Sequence, residues 1–119
     1  VLFSTAVQVI AIGGPSESGK TTRLVELIRS EVAAGRAVAA IKHTHHPLNE
    51  ENRGDTAAFL AAGARPVILA GDGEAVVFDG ASARRVAYAE PQDLLVHCAT
   101  DLVVIEGFKS VDDKIWRRP

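Results

Sequence analysis

The sequence predicts an α/β fold of the P-loop nucleotide-binding kind, a mainly parallel sheet flanked by helices. Three observations carry that prediction. A short run rich in β-branched residues, Val7–Ile12, leads directly into GGPSESGKTT, residues 13–22. The residues after it change to a helical period. Short apolar runs and helical stretches then alternate along the chain, the pattern of strands joined by crossover helices.

The elements follow in order. Val7–Ile12 suits a strand buried on both faces. From Lys20 to Ala34, Leu24, Leu27, Ile28 and Val32 fall on one helix face, and Gly35 is placed to close the helix. AVAAI, residues 37–41, reads as a second buried strand. The three make a βαβ unit, whose hand is almost always right. KHTHHPLNEENRG, residues 42–54, is polar, broken by Pro47, and reads as an exposed loop. Asp55 is placed to N-cap a helix over TAAFLAA, closed by Gly63. PVILA is the next strand. GDGEAVVFDGASARRVAYAE carries two Asp-Gly pairs around an apolar run and predicts a hairpin or meander at a sheet edge. Pro91 sits at a natural first helical position, continued by QDLLVHCA. DLVVIEG, residues 101–107, is the last buried strand, and FKSVDDKIWRRP after it shows no clear period.

Composition narrows the class. At 119 residues the chain is expected to form a single domain, residues 1–119, with one core. A net charge of −2 offers no basic excess for a nucleic-acid partner. No apolar run approaches the roughly 18 residues of a membrane span. The apolar start, VLFSTAVQVIAIGG, lacks the basic flank of a signal peptide. Cys98 is the single cysteine, so no internal disulfide forms and a reducing cytoplasm is expected. The chain holds no Met, which points to a processed or cut start and a longer natural protein.

The chemistry concentrates in a few places. Gly14, Gly19, Lys20 and Thr21 fit G-x-x-x-x-G-K-[ST] in full. The glycines let successive backbone N–H groups turn toward an anion, with Pro15, Ser16, Glu17 and Ser18 between them and Thr22 just beyond. The helix behind adds its dipole, Lys20 reaches the β- and γ-phosphates, and the Thr21 hydroxyl is placed for Mg²⁺. The G-x-G-x-x-G of a dinucleotide fold does not occur. A P-loop metal site needs a further acid at a strand end. Glu106 follows LVVI and is expected at the carboxyl edge of the sheet, where such folds bind ligands. Asp101, at the other end of that run, reads as a turn or cap residue. Asp55 reads equally as a helix cap or an outer Mg²⁺ ligand. His43, His45 and His46 crowd beside Lys42. They read either as a polar surface loop or as a phosphate or effector contact, and no spacing supports Zn²⁺. His97 and Cys98 read as a helix face packed on the sheet. Arg84-Arg85 and Arg117-Arg118 read as solvated pairs.

Taken together and in this order, GGPSESGKTT, IKHTHH, GDTAAFLAAGA and DLVVIEGFK resemble the MobB family of molybdopterin-guanine dinucleotide biosynthesis. The P-loop is shared with many proteins; KHTHH with IEGFK is the more specific part. The resemblance runs from about Val7 to Ile115. It implies the dethiobiotin-synthetase-like branch of P-loop folds and a guanine nucleotide, GTP, bound with Mg²⁺. It further implies a slow GTPase acting mainly as a dimeric adaptor beside a molybdopterin guanylyltransferase, with molybdopterin itself a further ligand to consider.

Residue by residue, Gly14, Gly19, Lys20, Thr21 and Thr22 match the phosphate and metal loop. Asp55 matches an acid before Ser or Thr, Glu106 the acid at the strand end, and His43, His45 and His46 the histidine-rich segment. The implied catalytic pair is Lys20 and Glu106, and the implied metal ligands are Thr21, Asp55 and Glu106.

Two departures stand out. The family carries a further region after EGFK, and PLNEENRG lacks the Lys common in that segment. No residues here read a purine edge, which predicts GTP and ATP affinities within about tenfold of each other. An ATP-dependent ligase resembling dethiobiotin synthetase, a metal-delivery GTPase using the histidines and a non-catalytic nucleotide-sensing module remain as alternatives.

Overall fold

The computed structural model describes residues 7–12, 19–50 and 54–108. The expectations for Gly14, Pro15, Ser16, Glu17, Ser18, Arg117 and Arg118 lie outside the described residues, as does the side chain of Lys20. The elements are β1 (Gln8–Ile12), α1 (Lys20–Ala33), β2 (Val38–His43), α2 (Asp55–Ala62), β3 (Val67–Ala70), β4 (Glu74–Asp79), β5 (Ser82–Ala87), a 3₁₀ helix (Pro91–His97) and β6 (Leu102–Glu106). They build one six-stranded sheet in the order β1-β6-β2-β3-β4-β5. The first four strands in that order run parallel. β4 and β5 return antiparallel, as the two Asp-Gly pairs predict. Gly80 opens the two-residue turn between them at φ 66, a conformation that suits glycine.

Strand alternation divides the apolar residues between two faces. Val38 and Ala40 of β2 join Val67, Leu102 and Val104 against Leu24 and Ile28 of α1 and Phe59 of α2. Ala39 and Ile41 join Ile68, Val77, Val103 and Ile105 on the other face, under Leu94 and Cys98 at the 3₁₀ helix. Burial pushes the Cys98 thiol up to about 12, so it stays a neutral packing group.

Several expectations are corrected. β1 is half-buried, because among the described residues it pairs only with β6. β2 runs on to His43, two residues past its apolar run. Lys42 and His43 still pair with Leu69 and Ala70, and Lys42 with Glu106, so the ladder continues after the hydrophobicity stops. Asp55 is the first residue of α2; Gly54 is its N-cap, with no side-chain cap. The segment after Pro91 is a 3₁₀ helix, entered through a capping box of Glu90 and Asp93.

Candidate functional site

The site lies at the carboxyl edge of the parallel strands, and strand parity decides which side chains enter it. Leu102 and Val104 face the two helices, so Glu106, two residues on, faces them as well. Val38 and Ala40 face the same way, so Lys42 does too. Register places Lys42 directly beside Glu106. The two helices begin over this corner, one carrying Thr21 in its first turn and the other Asp55. Gly19, the N-cap of α1, has φ 77, which the glycine before the Lys permits.

The four side chains meet. Thr21 Oγ1 donates to Glu106 Oε1 at 2.9 Å and lies 3.4 Å from Asp55 Oδ2. Lys42 Nζ donates to Glu106 Oε2 at 3.3 Å and to Asp55 Oδ2. Glu106 is 5% exposed, a rarity for a carboxylate, and is tolerated because both its oxygens are met. Burial alone would lower the pKa of Lys42. The hydrogen bond to Asp55 and the charges of Glu106 and Asp55 outweigh it, and the ammonium is held above its ordinary value.

The oxygen set of Thr21, Asp55 and Glu106 suits a hard divalent ion such as Mg²⁺. These are the three residues singled out from the sequence for that role, and they converge. Thr22, one residue further along α1, is exposed.

The histidines do not act as one group. His43 falls on the opposite sheet face from Lys42. Its Nε2 lies 3.1 Å from Asp72 Oδ1, and its ring stacks on Phe108 at 4.3 Å. His45 meets the His43 ring edge-on at 4.8 Å. His46 instead lines a cavity shared with Lys42, Thr44 and Asp55. Among the described residues, no three of His, Cys, Asp or Glu are grouped to hold a metal ion, so the metal-delivery alternative gains no support from their placement.

Gly107 and Phe108, which follow Glu106, have φ of 100 and 56. A side chain at Gly107 would meet His43 Cβ at 2.9 Å. That close approach fixes the end of β6 against the end of β2.

Lys42 is the residue sequence reasoning missed as a member of the site. Its signal was parity: it continues the face of Val38 and Ala40. At the other end of β6, Asp101 Oδ2 accepts the Ala37 N–H at 2.8 Å, the capping role expected of it. Arg85 pairs with Glu74 in an exposed ion pair and also donates to the Leu48 carbonyl at 3.2 Å.

The family model for molybdopterin guanine dinucleotide synthesis protein B, MobB, matches residues 9–116. The chain belongs to the MobB family. It is 34% identical over 111 residues to the molybdopterin-guanine dinucleotide biosynthesis adapter protein of Haemophilus influenzae, covering 92% of this chain and 61% of that protein. The Escherichia coli K12 protein of the same name is 30% identical over 107 residues, covering 88% of this chain and 61% of that relative. The chain therefore spans 61% of the length of these curated relatives. No solved structure matches it. The mostly parallel six-stranded sheet with its helices is the α/β fold expected of a MobB member. Among the described residues, no helix is long and apolar enough to cross a membrane.

Proposed function

We propose that this chain is the nucleotide-binding part of an adaptor for molybdopterin guanine dinucleotide synthesis, holding GTP with Mg²⁺. The observation that carries the reading is the convergence of Thr21, Asp55 and Glu106 at the start of the helix that follows G-x-x-x-x-G-K-T. In this reading the loop's backbone N–H groups and Lys20 hold the phosphates. Thr21 and Glu106 hold the metal, with Asp55 beside them. Bound there, Mg²⁺ would neutralise phosphate charge. Lys42 pairs with both carboxylates and holds them in place. The names of the relatives favour an adaptor role in molybdopterin-guanine dinucleotide biosynthesis, and a guanylyltransferase partner is part of this proposal. A homodimer, slow hydrolysis and location in the cytoplasm belong to the same proposal.

Titration calorimetry tests it, with GTP and ATP, with and without Mg²⁺, on the wild type and on Lys20→Ala. The expected result is Mg²⁺-dependent GTP binding that Lys20→Ala abolishes, through loss of charge-assisted contacts worth about 1.5–3 kcal/mol each. Unchanged binding by Lys20→Ala would remove the phosphate cradle. Binding of ATP alone would favour the ligase alternative.

A further inference from the structure

Two neighbours in β2 grip the end of β6 from opposite faces of the sheet. Lys42 reaches the Glu106 carboxylate from the helix side. His43, one residue on, lies on the other face and contacts the two residues that follow Glu106. Gly107 packs on it so closely that a Cβ there would meet His43 Cβ at 2.9 Å. The Phe108 ring stacks on the imidazole, with centroids 4.3 Å apart and planes 20° from parallel. The imidazole has its own anchors: Nε2 lies 3.1 Å from Asp72 Oδ1, and His45 meets the ring edge-on. On the other side of β6, the Gly107 N–H donates to the Ile12 carbonyl at 3.1 Å, at the end of the strand that leads into the phosphate loop.

Phe108 shows what the imidazole has to hold. Its φ of 56 is left-handed, and among the described residues no other non-glycine residue has a positive φ. A bulky side chain adopts that conformation only where its surroundings impose it. Two things impose it here, the stack on His43 and burial in the apolar cluster on that face. Without the stack, the backbone at Phe108 relaxes toward negative φ, and the displacement passes through Gly107 to Glu106. The Glu106 carboxylate must stay 2.9 Å from Thr21 Oγ1 to face an ion with it. Mg²⁺ demands near-ideal octahedral geometry, so a small displacement of one carboxylate weakens its binding. Phosphates cradled by backbone N–H groups do not depend on that carboxylate.

We infer that His43 is a positioning residue for the metal corner: its ring holds Phe108 in the left-handed conformation and thereby sets where Glu106 stands. The inference rests on the reading of Thr21, Asp55 and Glu106 as a metal site. It gives the first histidine of KHTHH a task that needs no contact with nucleotide or metal. The ring carries the task more than its partner does, because Asp72 is 86% exposed and a restraint in solvent is weak.

The test measures binding of a non-hydrolysable GTP analogue by calorimetry, with Mg²⁺ and with Mg²⁺ removed by chelation. His43→Ala should weaken Mg²⁺-dependent binding roughly tenfold, the lower end of what outer partners of a metal ligand cost, and leave Mg²⁺-free binding unchanged. Phe108→Leu, which keeps apolar bulk and loses the stack, should do the same. The double variant should lose no more than either alone, since both remove one contact. His43→Phe keeps a ring against Phe108 and should recover most of the Mg²⁺ response. Asp72→Asn should lose no more than about threefold. Equal losses with and without Mg²⁺ would make His43 merely structural and overturn the inference, as would additive losses in the double variant or an unchanged Mg²⁺ response in His43→Ala. If His43→Ala does not fold, Phe108→Leu and His43→Phe decide: loss in the first with recovery in the second supports the inference, and any other pattern overturns it. A wild type indifferent to Mg²⁺ overturns the metal reading and this inference with it.

Discussion

The two ends of β6 carry one acid each, and the same strands and helix surround both. At the amino end, Asp101 accepts the Ala37 N–H at 2.8 Å. Arg36 nearby reaches Glu31 at 3.3 Å, Gln8 at 3.1 Å and the Asp101 carbonyl at 3.4 Å. These groups tie β1, α1, β2 and β6 together in solvent. At the carboxyl end, Glu106 is 5% exposed and meets a hydroxyl and an ammonium, with a second carboxylate beside them. Polar groups of the same kinds thus do different work. The amino end satisfies backbone groups. The carboxyl end gathers charge beneath a cavity, where the parallel strands all finish and two helices start.

The largest expected effect separates the two ends directly. Lys42→Met leaves Glu106 buried without its cation, and about 3 kcal/mol of stability should be lost, near the lower end of such losses. Arg36→Ala, at a partly exposed pair, should cost no more than about 1 kcal/mol. Urea denaturation of both variants measures this. Similar losses would make the two ends equivalent and break the comparison.

The pH dependence sharpens the same point. Folding raises the pKa of Lys42 above its ordinary 10.5. A base raised on folding contributes fully below its unfolded pKa and loses that contribution as pH rises through the folded value. The gap between wild type and Lys42→Met should therefore hold steady from neutral pH to about pH 10 and narrow only above that. A gap that closes between pH 7 and 9 would show that the ammonium charge is not what holds the corner.

Much of this contrast was legible in the sequence, and the rest was hidden for definite reasons. Glu106 and Asp101 could be placed because one apolar run sets both, and the run's direction follows from its place in the alternation of elements. Thr21 came from the loop motif. Lys42 was missed because the strand was ended at its last apolar residue, Ile41, whereas backbone pairing carried it on to His43. Continuing the alternation by two residues sends Lys42 toward the helices and His43 away from them, which divides the histidine-rich segment. Local preference left Asp55 open between a helix cap and an outer Mg²⁺ ligand. The backbone of Gly54 starts the helix instead, and Lys42 draws the carboxylate elsewhere. The His43 contact with Asp72 joins residues far apart in sequence and left no local sign.

Glycines offer a second, smaller contrast. Gly107, next to Glu106, has φ 100 and stands where a Cβ would come 2.9 Å from His43 Cβ. Gly35, after α1, has φ 90 with nothing within 4 Å. Gly107→Ala therefore suffers both backbone strain and a clash, and should cost about 2 kcal/mol. Gly35→Ala suffers strain alone, about 1 kcal/mol. Chemical denaturation gives both values. Amide shifts should also move at Lys42 and His43 in the first variant and stay local in the second. Equal costs would mean that β2 yields readily, and that the carboxyl edge is less firmly fixed than its contacts imply.

The smallest effect is expected at Asp101, and it tests whether charge matters at the amino end at all. Asp101 is exposed, and its carboxylate accepts from a backbone N–H. Arg36 contacts the Asp101 backbone carbonyl at 3.4 Å. Asn keeps a side-chain carbonyl oxygen able to accept the Ala37 N–H. Asp101→Asn should thus change stability by no more than about 0.5 kcal/mol, the ordinary range for a surface substitution. Asp101→Ala removes the acceptor and should cost about 1 kcal/mol, the net worth of one hydrogen bond. Denaturation of the two variants side by side isolates charge from hydrogen bonding. If Asp101→Asn proves as costly as Asp101→Ala, the negative charge itself holds the amino end. The two ends of β6 would then differ in burial alone, and the distinction between a backbone cap and a charged site would have to be given up.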